Sequence, residues 1–572
     1  MKAVATGRPA LAQAQRVFHP KLFTMLGSYS WSQFSGDLTG GVIVGVVALP
    51  LAIAFSIASG VTPDKGLTTA IVAGFLISLL GGSRVQIGGP TGAFVVIIYG
   101  IVQRYGLEGL TVCTILAGCI LVVMGLLRLG AVIKFVPYPL TVGFTSGIAV
   151  IIFSQQIRDL MGLSTGPIPV DFIEKWKLYL RVLHTASPLA MVLTAFSLML
   201  ILLWPRISRR IPGSFVALIV VTAAASFWRL PVETIGSRFG DLPSGLPRLS
   251  WPHLTFAQVR DLIAPAFTVA ILGAIESLLS ATVADGMIEG RHRSNTELIA
   301  QGIANIITPL FGGIPATGAI ARTATNIKNG GKTPVAGIVH AATLLLIVLL
   351  FGHWARLIPL CVLASILVVV CYHMSEWRAF RSLLWAPRMD VAVLLLTFFL
   401  TVFVDLTVAI GVGMVMSSVL FMKRMTDVTT IREITREVNG PSIEETLKDA
   451  AEKFSRQEVP NGVVVYQAEG AFFFGFAEAL RDTLNLGANP PKALILRMRH
   501  VVALDASGMR ALCDLGKTCA KSGTRLMLAG LQSQAREAVA KSGFLHEFGA
   551  DNVFKNVGDA IREAGREAAS KA

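Results

Sequence analysis

Between Leu38 and Met422 the sequence runs through about fourteen apolar segments joined by mostly short polar connections. Lipid offers no partner to a backbone N–H or C=O, so such a chain must cross as helices whose hydrogen bonds close internally. The segments lie near 38–59, 66–81, 87–103, 110–128, 136–156, 187–204, 212–230, 262–284, 296–311, 315–328, 334–352, 357–373, 389–404 and 406–422. They divide seven and seven about the longest polar connection, Pro231 to Arg260. Only 15% of the 572 residues are charged, against roughly 25% in soluble globular proteins.

The formal net charge of +15 does not point to nucleic acid, because no basic groove interleaved with aromatics accompanies it. Lys and Arg gather instead in the connections, among them Arg84, Arg128, Lys134, Arg206, Arg291, Arg293, Lys328, Lys332, Arg378 and Lys423. Fewer stand in the alternate short connections (Lys65, Arg104, Arg356), a bias that places both termini in the cytoplasm. Residues 1–36 form a basic, polar cytoplasmic segment with no hydrophobic signal core. Cys113, Cys119, Cys361, Cys371, Cys513 and Cys519 lack CxxC spacing, and the expectation for each is structural burial. The nine histidines form no metal-ligand cluster, so no metal is expected.

Two glycine-proline stretches interrupt the apolar pattern, one in each half. They read Gly88-Gly89-Pro90-Thr91-Gly92-Ala93 and Gly312-Gly313-Ile314-Pro315-Ala316-Thr317-Gly318-Ala319. Paired breaks at corresponding places mark an inverted-repeat secondary transporter. Two half-helix N-termini facing one cavity would offer free N–H groups and positive dipole ends to an anion. Isolated glycines such as Gly118, Gly125, Gly411 and Gly413 imply only close helix packing.

Glu276 stands inside the apolar run 266–284, where an unpaired carboxylate is costly and usually faces a cavity. Ser280 follows one turn later on the same face and could share an ion or proton with it. The bland alternative is a hydrogen bond between helices. Arg322 lies one turn beyond Gly318, so fixed charge and backbone donors would coincide there. Its alternative role is a structural pair with Glu276. Asp37 and Asp405 sit at span ends, where water is expected to reach them. Gly331-Lys332-Thr333 looks like the end of a phosphate loop, but Asn326 replaces the first glycine, and nucleotide hydrolysis is rejected.

Residues 423–457 read as a polar linker or short helical connection, and 458–565 as a small α/β domain before a 566–572 tail. Expected strands are 463–468, 493–498 and 525–528. Expected helices are 476–484, 507–520, 533–541 and 557–564.

These residues resemble the SulP (SLC26-type) anion transporters with a C-terminal STAS domain, bacterial branch. The likeness rests on Leu49-Pro50-Leu51-Ala52-Ile53-Ala54-Phe55, Gly89-Pro90-Thr91-Gly92-Ala93, Gly143-Phe144-Thr145-Ser146-Gly147-Ile148, Ala274-Ile275-Glu276-Ser277 and Asn295 to Gly337. It implies a polytopic helical protein of about fourteen segments, with core and gate domains built from seven-plus-seven inverted repeats. The implied anion site lies between the third and tenth segments, near Phe55, Thr91, Gly92, Ala93, Gly318, Ala319, Ala321 and Arg322. Glu276 matches the family's acidic coupling position, with Ser280 beside it. Leu51 and Ala321 replace a glutamine and a serine common in the family, which shifts recognition towards backbone N–H groups and Arg322. In the tail, Leu504-Asp505-Ala506-Ser507-Gly508 resembles the STAS loop whose serine is phosphorylated in anti-sigma-factor antagonists. Ser507 could equally serve as a helix N-cap.

The resulting expectation is a non-enzymatic, multi-pass protein of the inner (plasma) membrane, carrying sulfate, bicarbonate or a C4-dicarboxylate. Proton symport through elevator or rocking motion is the leading mechanism, with no cofactor, while sodium coupling and anion exchange stay open. A homodimer and a cytoplasmic regulatory partner at the STAS domain are the expected associations. A nucleobase permease is disfavoured by Arg322 and the tail. An anion sensor or scaffold acting through the tail is the alternative of another class.

Overall fold

The computed structural model describes residues 18–27, 29–131, 137–166, 168–208, 212–240, 249–251, 256–435, 459–472 and 490–570. The chain divides into two units, Met1–Val415 and Met416–Ala572.

In the first unit, every expected apolar segment meets a helix. Trp31–Ala58 starts at a capping box, in which Ser30 and Gln33 satisfy each other's backbone N–H. Pro63–Leu80, Pro188–Leu203 and Tyr138–Met161 each carry proline in the first turn, where its missing N–H costs nothing. The third and fourth segments run together as Gly92–Leu126, and left-handed Gly106 (φ 68°) turns the chain between them. The second half contributes Phe256–Ile288, Ser294–Ile307, Ile320–Lys328, Val335–Phe351, Leu360–Met374, Arg388–Phe403 and Leu406–Val428. Nine of the helices among the described residues are long and apolar enough to cross a membrane.

Packing sorts these helices into two groups that each draw on both halves. Trp31–Ala58 and Pro63–Leu80 pack on Val335–Phe351, while Gly92–Leu126 packs on Phe256–Ile288 and Ser294–Ile307. Tyr138–Met161 packs instead on Leu360–Met374 and Arg388–Phe403, and Pro188–Leu203 packs on Gly213–Phe227 and Leu360–Met374. The first group is the core and the second the gate. In the core, Gly118 and Gly302 face each other so closely that a Cβ on Gly118 would stand 2.7 Å from the Gly302 carbonyl oxygen.

Three expectations fail here. Asp37 is fully buried, not wetted, because it accepts from the Lys332 and Thr333 N–H groups, the Thr333 hydroxyl and Tyr29 Oη. The phosphate-loop lookalike thus binds a carboxylate of its own chain. Among the described residues nothing lies within 4 Å of a Cβ added to Gly411, so close packing does not explain it. Cys119 is exposed on its helix and Cys513 half-buried, unlike the other four cysteines.

Two short strands of the first unit, Gly88–Gly89 (β1) and Thr317–Gly318 (β2), precede the five-stranded sheet on which the second unit is built, whose strands β3 to β7 stand side by side in chain order. The strands are Thr430–Glu433, Val463–Phe472, Ala493–Leu504, Arg525–Ala529 and Val553–Phe554, with β3 antiparallel to β4 and the others parallel. Alternation along β5 sends Leu494 and Leu496 to a core with Leu512, Leu515 and Val539, and Ile495 to a second core with Ala560 and Ile561. Helices Ala506–Lys521 and Ser533–Lys541 therefore cover one face and Val557–Ser570 the other. β3 begins the sheet inside the stretch read as a linker. The expected helix 476–484 lies outside the described residues. Ser507 is not the cap of its helix: Asp505 accepts the Gly508 N–H at 2.8 Å, and Ser507 is exposed one residue into the first turn.

Candidate functional site

The two breaks come together as a short antiparallel pair. β1 (Gly88–Gly89) lies against β2 (Thr317–Gly318), with Gly88 opposite Gly318 and Gly89 opposite Thr317. The Ala319 N–H donates to the Ile87 carbonyl at 2.8 Å, and the Ile87 N–H donates to Thr323 Oγ1 at 3.0 Å. Two glycines make this approach possible. A Cβ on Gly318 would stand 1.5 Å from Gln86 Nε2, and one on Gly89 (φ 149°) 2.5 Å from Arg322 Nη1.

A helix starts just beyond each strand, Gly92–Leu126 after Thr91 and Ile320–Lys328 after Ala319, and neither N-cap side chain caps its helix. First-turn amides such as Gly92, Ala93, Ile320 and Ala321 have no intrahelical acceptor. Gly318 and Ala319 do not add to this set, contrary to expectation. Pairing of the breaks commits the Ala319 amide, and the Gly318 amide donates to Ser277 Oγ at 3.1 Å.

Thr91, Glu276 and Arg322 converge on these turns. Thr91 Oγ1 donates to Glu276 Oε2 at 2.9 Å, linking the first break to the helix Phe256–Ile288. Arg322 is buried at 2% exposure, its Nη2 donates to the Pro90 carbonyl, and Nη1 has no hydrogen-bond partner among the described residues. No ion pair joins Arg322 to Glu276, so the structural-pair alternative is not what holds the guanidinium. Phe55 closes the other side: a Cβ on Gly92 would stand 3.4 Å from its ring. Ala321 is exposed and Glu276 half-buried, whereas Phe55, Thr91 and Arg322 are buried. Ser280 belongs elsewhere, with its hydroxyl 3.4 Å from Thr323 Oγ1 and not on Glu276.

Several contributors were not singled out in the sequence. Met374, on the gate helix Leu360–Met374, places its sulfur 3.1 Å from a Cβ on Gly92. Ser277 ties β2 to its helix through Thr317 Oγ1 at 2.6 Å. A polar stripe on Ser294–Ile307 anchors the connection that leads to the first break, and the second break itself. Glu297 accepts the Gly82 and Ser83 N–H groups at 2.8 and 3.1 Å, and Gln301 donates to Glu297 at 2.8 Å. Asn305 both donates to the Ala316 carbonyl and accepts its N–H, each at 2.8 Å. Polar residues at i, i+4 and i+8 within an apolar helix are the signal that could have revealed the stripe.

A guanidinium held on one side, first-turn amides without intrahelical acceptors and one carboxylate thus lie within a single cluster, a donor set that suits an anion. Residues 34–397 match the sulfate permease family and 456–560 the STAS domain. YvdB of Bacillus subtilis, provisionally named a sulfate transporter, is 41% identical over 92% of this chain and 97% of its own length. The bicarbonate transporter BicA of Picosynechococcus is 29% identical over 92% of this chain and 94% of that protein. The BicA transmembrane domain superposes with a TM-score of 0.62 at 31% identity, over 67% of this chain and 98% of that one. The murine solute carrier 26 member A9 anion transporter, in its inward-facing state, shares the fold at a TM-score of 0.84 and 19% identity, over 99% and 96% of the two chains. The chain belongs to the sulfate permease family, with a STAS domain following its membrane helices.

Proposed function

We propose that this chain is a secondary active transporter of a small anion, driven by protons through Glu276. The anion is held by Arg322 and the first turns of Gly92–Leu126 and Ile320–Lys328, with Phe55 and Met374 closing the pocket. The observation that carries this reading is the Thr91–Glu276 hydrogen bond, because it joins the coupling carboxylate to the cap of an anion-binding helix turn. Protonation of Glu276 would remove its negative charge and add an O–H donor to the carboxyl, which weakens its hold on the Thr91 hydroxyl. Anion occupancy and proton occupancy would then be linked, and the same free energy of coupling acts in both directions.

The named relatives point to sulfate or bicarbonate as first substrates to try, with C4-dicarboxylates as a third. Alternating access would come from movement of the core against the gate, since the site's charged groups all lie on core helices and Met374 on the gate. The topology in this reading puts residues 37–422 across the plasma membrane as the transporter, both termini in the cytoplasm, and 458–565 as a regulatory STAS domain. It also makes the chain a homodimer, with phosphorylation at exposed Ser507 or a bound partner as the means of control. Uptake of labelled sulfate, bicarbonate and succinate into proteoliposomes tests the reading. Accumulation driven by an inward proton gradient supports it, whereas sodium-dependent or gradient-independent uptake would replace proton symport by sodium symport or exchange.

A further inference from the structure

His340, on the helix Val335–Phe351, is fully buried, and neither ring nitrogen has a hydrogen-bond partner among the described residues. Arg322 Nη1 is in the same condition. Native structures keep few such groups, and each calls for an explanation.

The two groups approach one face of Pro63–Leu80. A Cβ on Gly89 would stand 2.5 Å from Arg322 Nη1 and 3.5 Å from Cα of Ala70. A Cβ on Gly74 would stand 3.4 Å from His340 Nδ1 and 3.3 Å from the Gly88 carbonyl oxygen. Ala70 and Gly74 are one turn apart on the same helix face, and Gly88 and Gly89 are consecutive in β1. Guanidinium and imidazole therefore both reach the same short stretch of backbone. Small residues at 70 and 74 leave room that larger side chains would fill.

We propose that one buried water joins Arg322 Nη1 to a ring nitrogen of His340, and that His340 thereby acts as a positioning residue for the anion-binding arginine. The donor and acceptor inventory closes. Arginine offers only donors, neutral imidazole offers one acceptor, and the Gly88 carbonyl offers another. A water accepting from Nη1 and donating to the ring and to Gly88 makes three hydrogen bonds, the usual number for a buried water. With Nη2 tied to Pro90 and Nη1 tied through the water, the guanidinium plane is fixed and its other N–H groups are aimed.

This role rests on Arg322 being the anion-binding residue, and the experiment separates the two claims. Full-length protein in proteoliposomes is assayed for KM and maximal rate with labelled sulfate, bicarbonate and succinate. His340→Leu is expected to raise KM about tenfold, the effect of one hydrogen bond to a charged group, with the maximal rate nearly unchanged. His340→Gln, whose amide oxygen can accept, is expected to restore most of the affinity. A wild-type KM in His340→Leu, while Arg322→Gln raises KM, overturns the positioning role and leaves the anion site standing. Equal loss of maximal rate in both His340 variants also overturns it, as that result marks a packing role.

If Arg322→Gln leaves KM unchanged, or none of the three anions is transported, the ring itself still decides the matter. In histidine-labelled full-length protein, the ¹⁵N resonance of the His340 acceptor nitrogen is expected to move in Arg322→Gln. An unmoved resonance overturns the link.

Discussion

Thr91 Oγ1 donates to Glu276 Oε2 across 2.9 Å, joining the cap of one broken helix to the middle of another. Thr91 ends the first break and Glu276 belongs to the second half of the chain, so this one contact ties the two repeats at the candidate site. It also gives the first prediction. Thr91→Val keeps the shape and removes the donor, and is expected to cut proton-driven uptake about tenfold, as for the loss of one hydrogen bond to a charged group. Thr91→Ser should retain most of the activity. Initial rates under a fixed proton gradient check both.

Arg322→Lys preserves charge and loses the planar fork that reaches Pro90 through Nη2. The expected result is a rise in anion KM of about tenfold or more, with folding intact, because an ammonium cannot reproduce the two-sided hydrogen bonding. Substrate saturation curves in proteoliposomes measure it.

Asn305→Leu tests the stripe that anchors the second break. It leaves the Ala316 N–H and C=O without their 2.8 Å partners, at a cost of about 1–3 kcal/mol for each buried group. The thermal midpoint of the detergent-purified protein should fall clearly. An unchanged midpoint would mean that other groups satisfy Ala316.

In the tail domain, Asp505→Ala should destabilise by about 1 kcal/mol, the usual worth of an N-cap. Ser507→Ala, at an exposed position that caps nothing, should stay within about 0.5 kcal/mol. Pulse proteolysis of the tail in the full-length chain distinguishes the two.

The membrane helices were legible because lipid forces the pattern: each span must be apolar and internally hydrogen-bonded, so hydropathy and turn residues locate it. The pairing of β1 with β2 was not legible, since two-residue strands carry no periodicity and only the doubled Gly-Pro breaks announced them. The pairing takes the Ala319 amide and Ser277 Oγ takes the Gly318 amide, neither of which the glycine-proline pattern announces. Glu276 stands out as a charge in an apolar run and Arg322 by its place one turn beyond Gly318, whereas Met374 and His340 look like ordinary members of their helices. The burial of Asp37 is not legible locally, because Lys332 and Thr333, which supply most of its hydrogen bonds, lie nearly three hundred residues away. The cap is Asp505, two residues before Ser507, because its carboxylate is the group that reaches the Gly508 N–H.

The central claim is that Glu276 couples proton movement to anion movement. Its most direct test is uptake of labelled sulfate, bicarbonate and succinate into proteoliposomes, with and without an inward proton gradient, for wild type and Glu276→Gln. The account predicts that the gradient drives accumulation of one of these anions by wild type and that Glu276→Gln loses this drive. Uptake indifferent both to the gradient and to the substitution would contradict it.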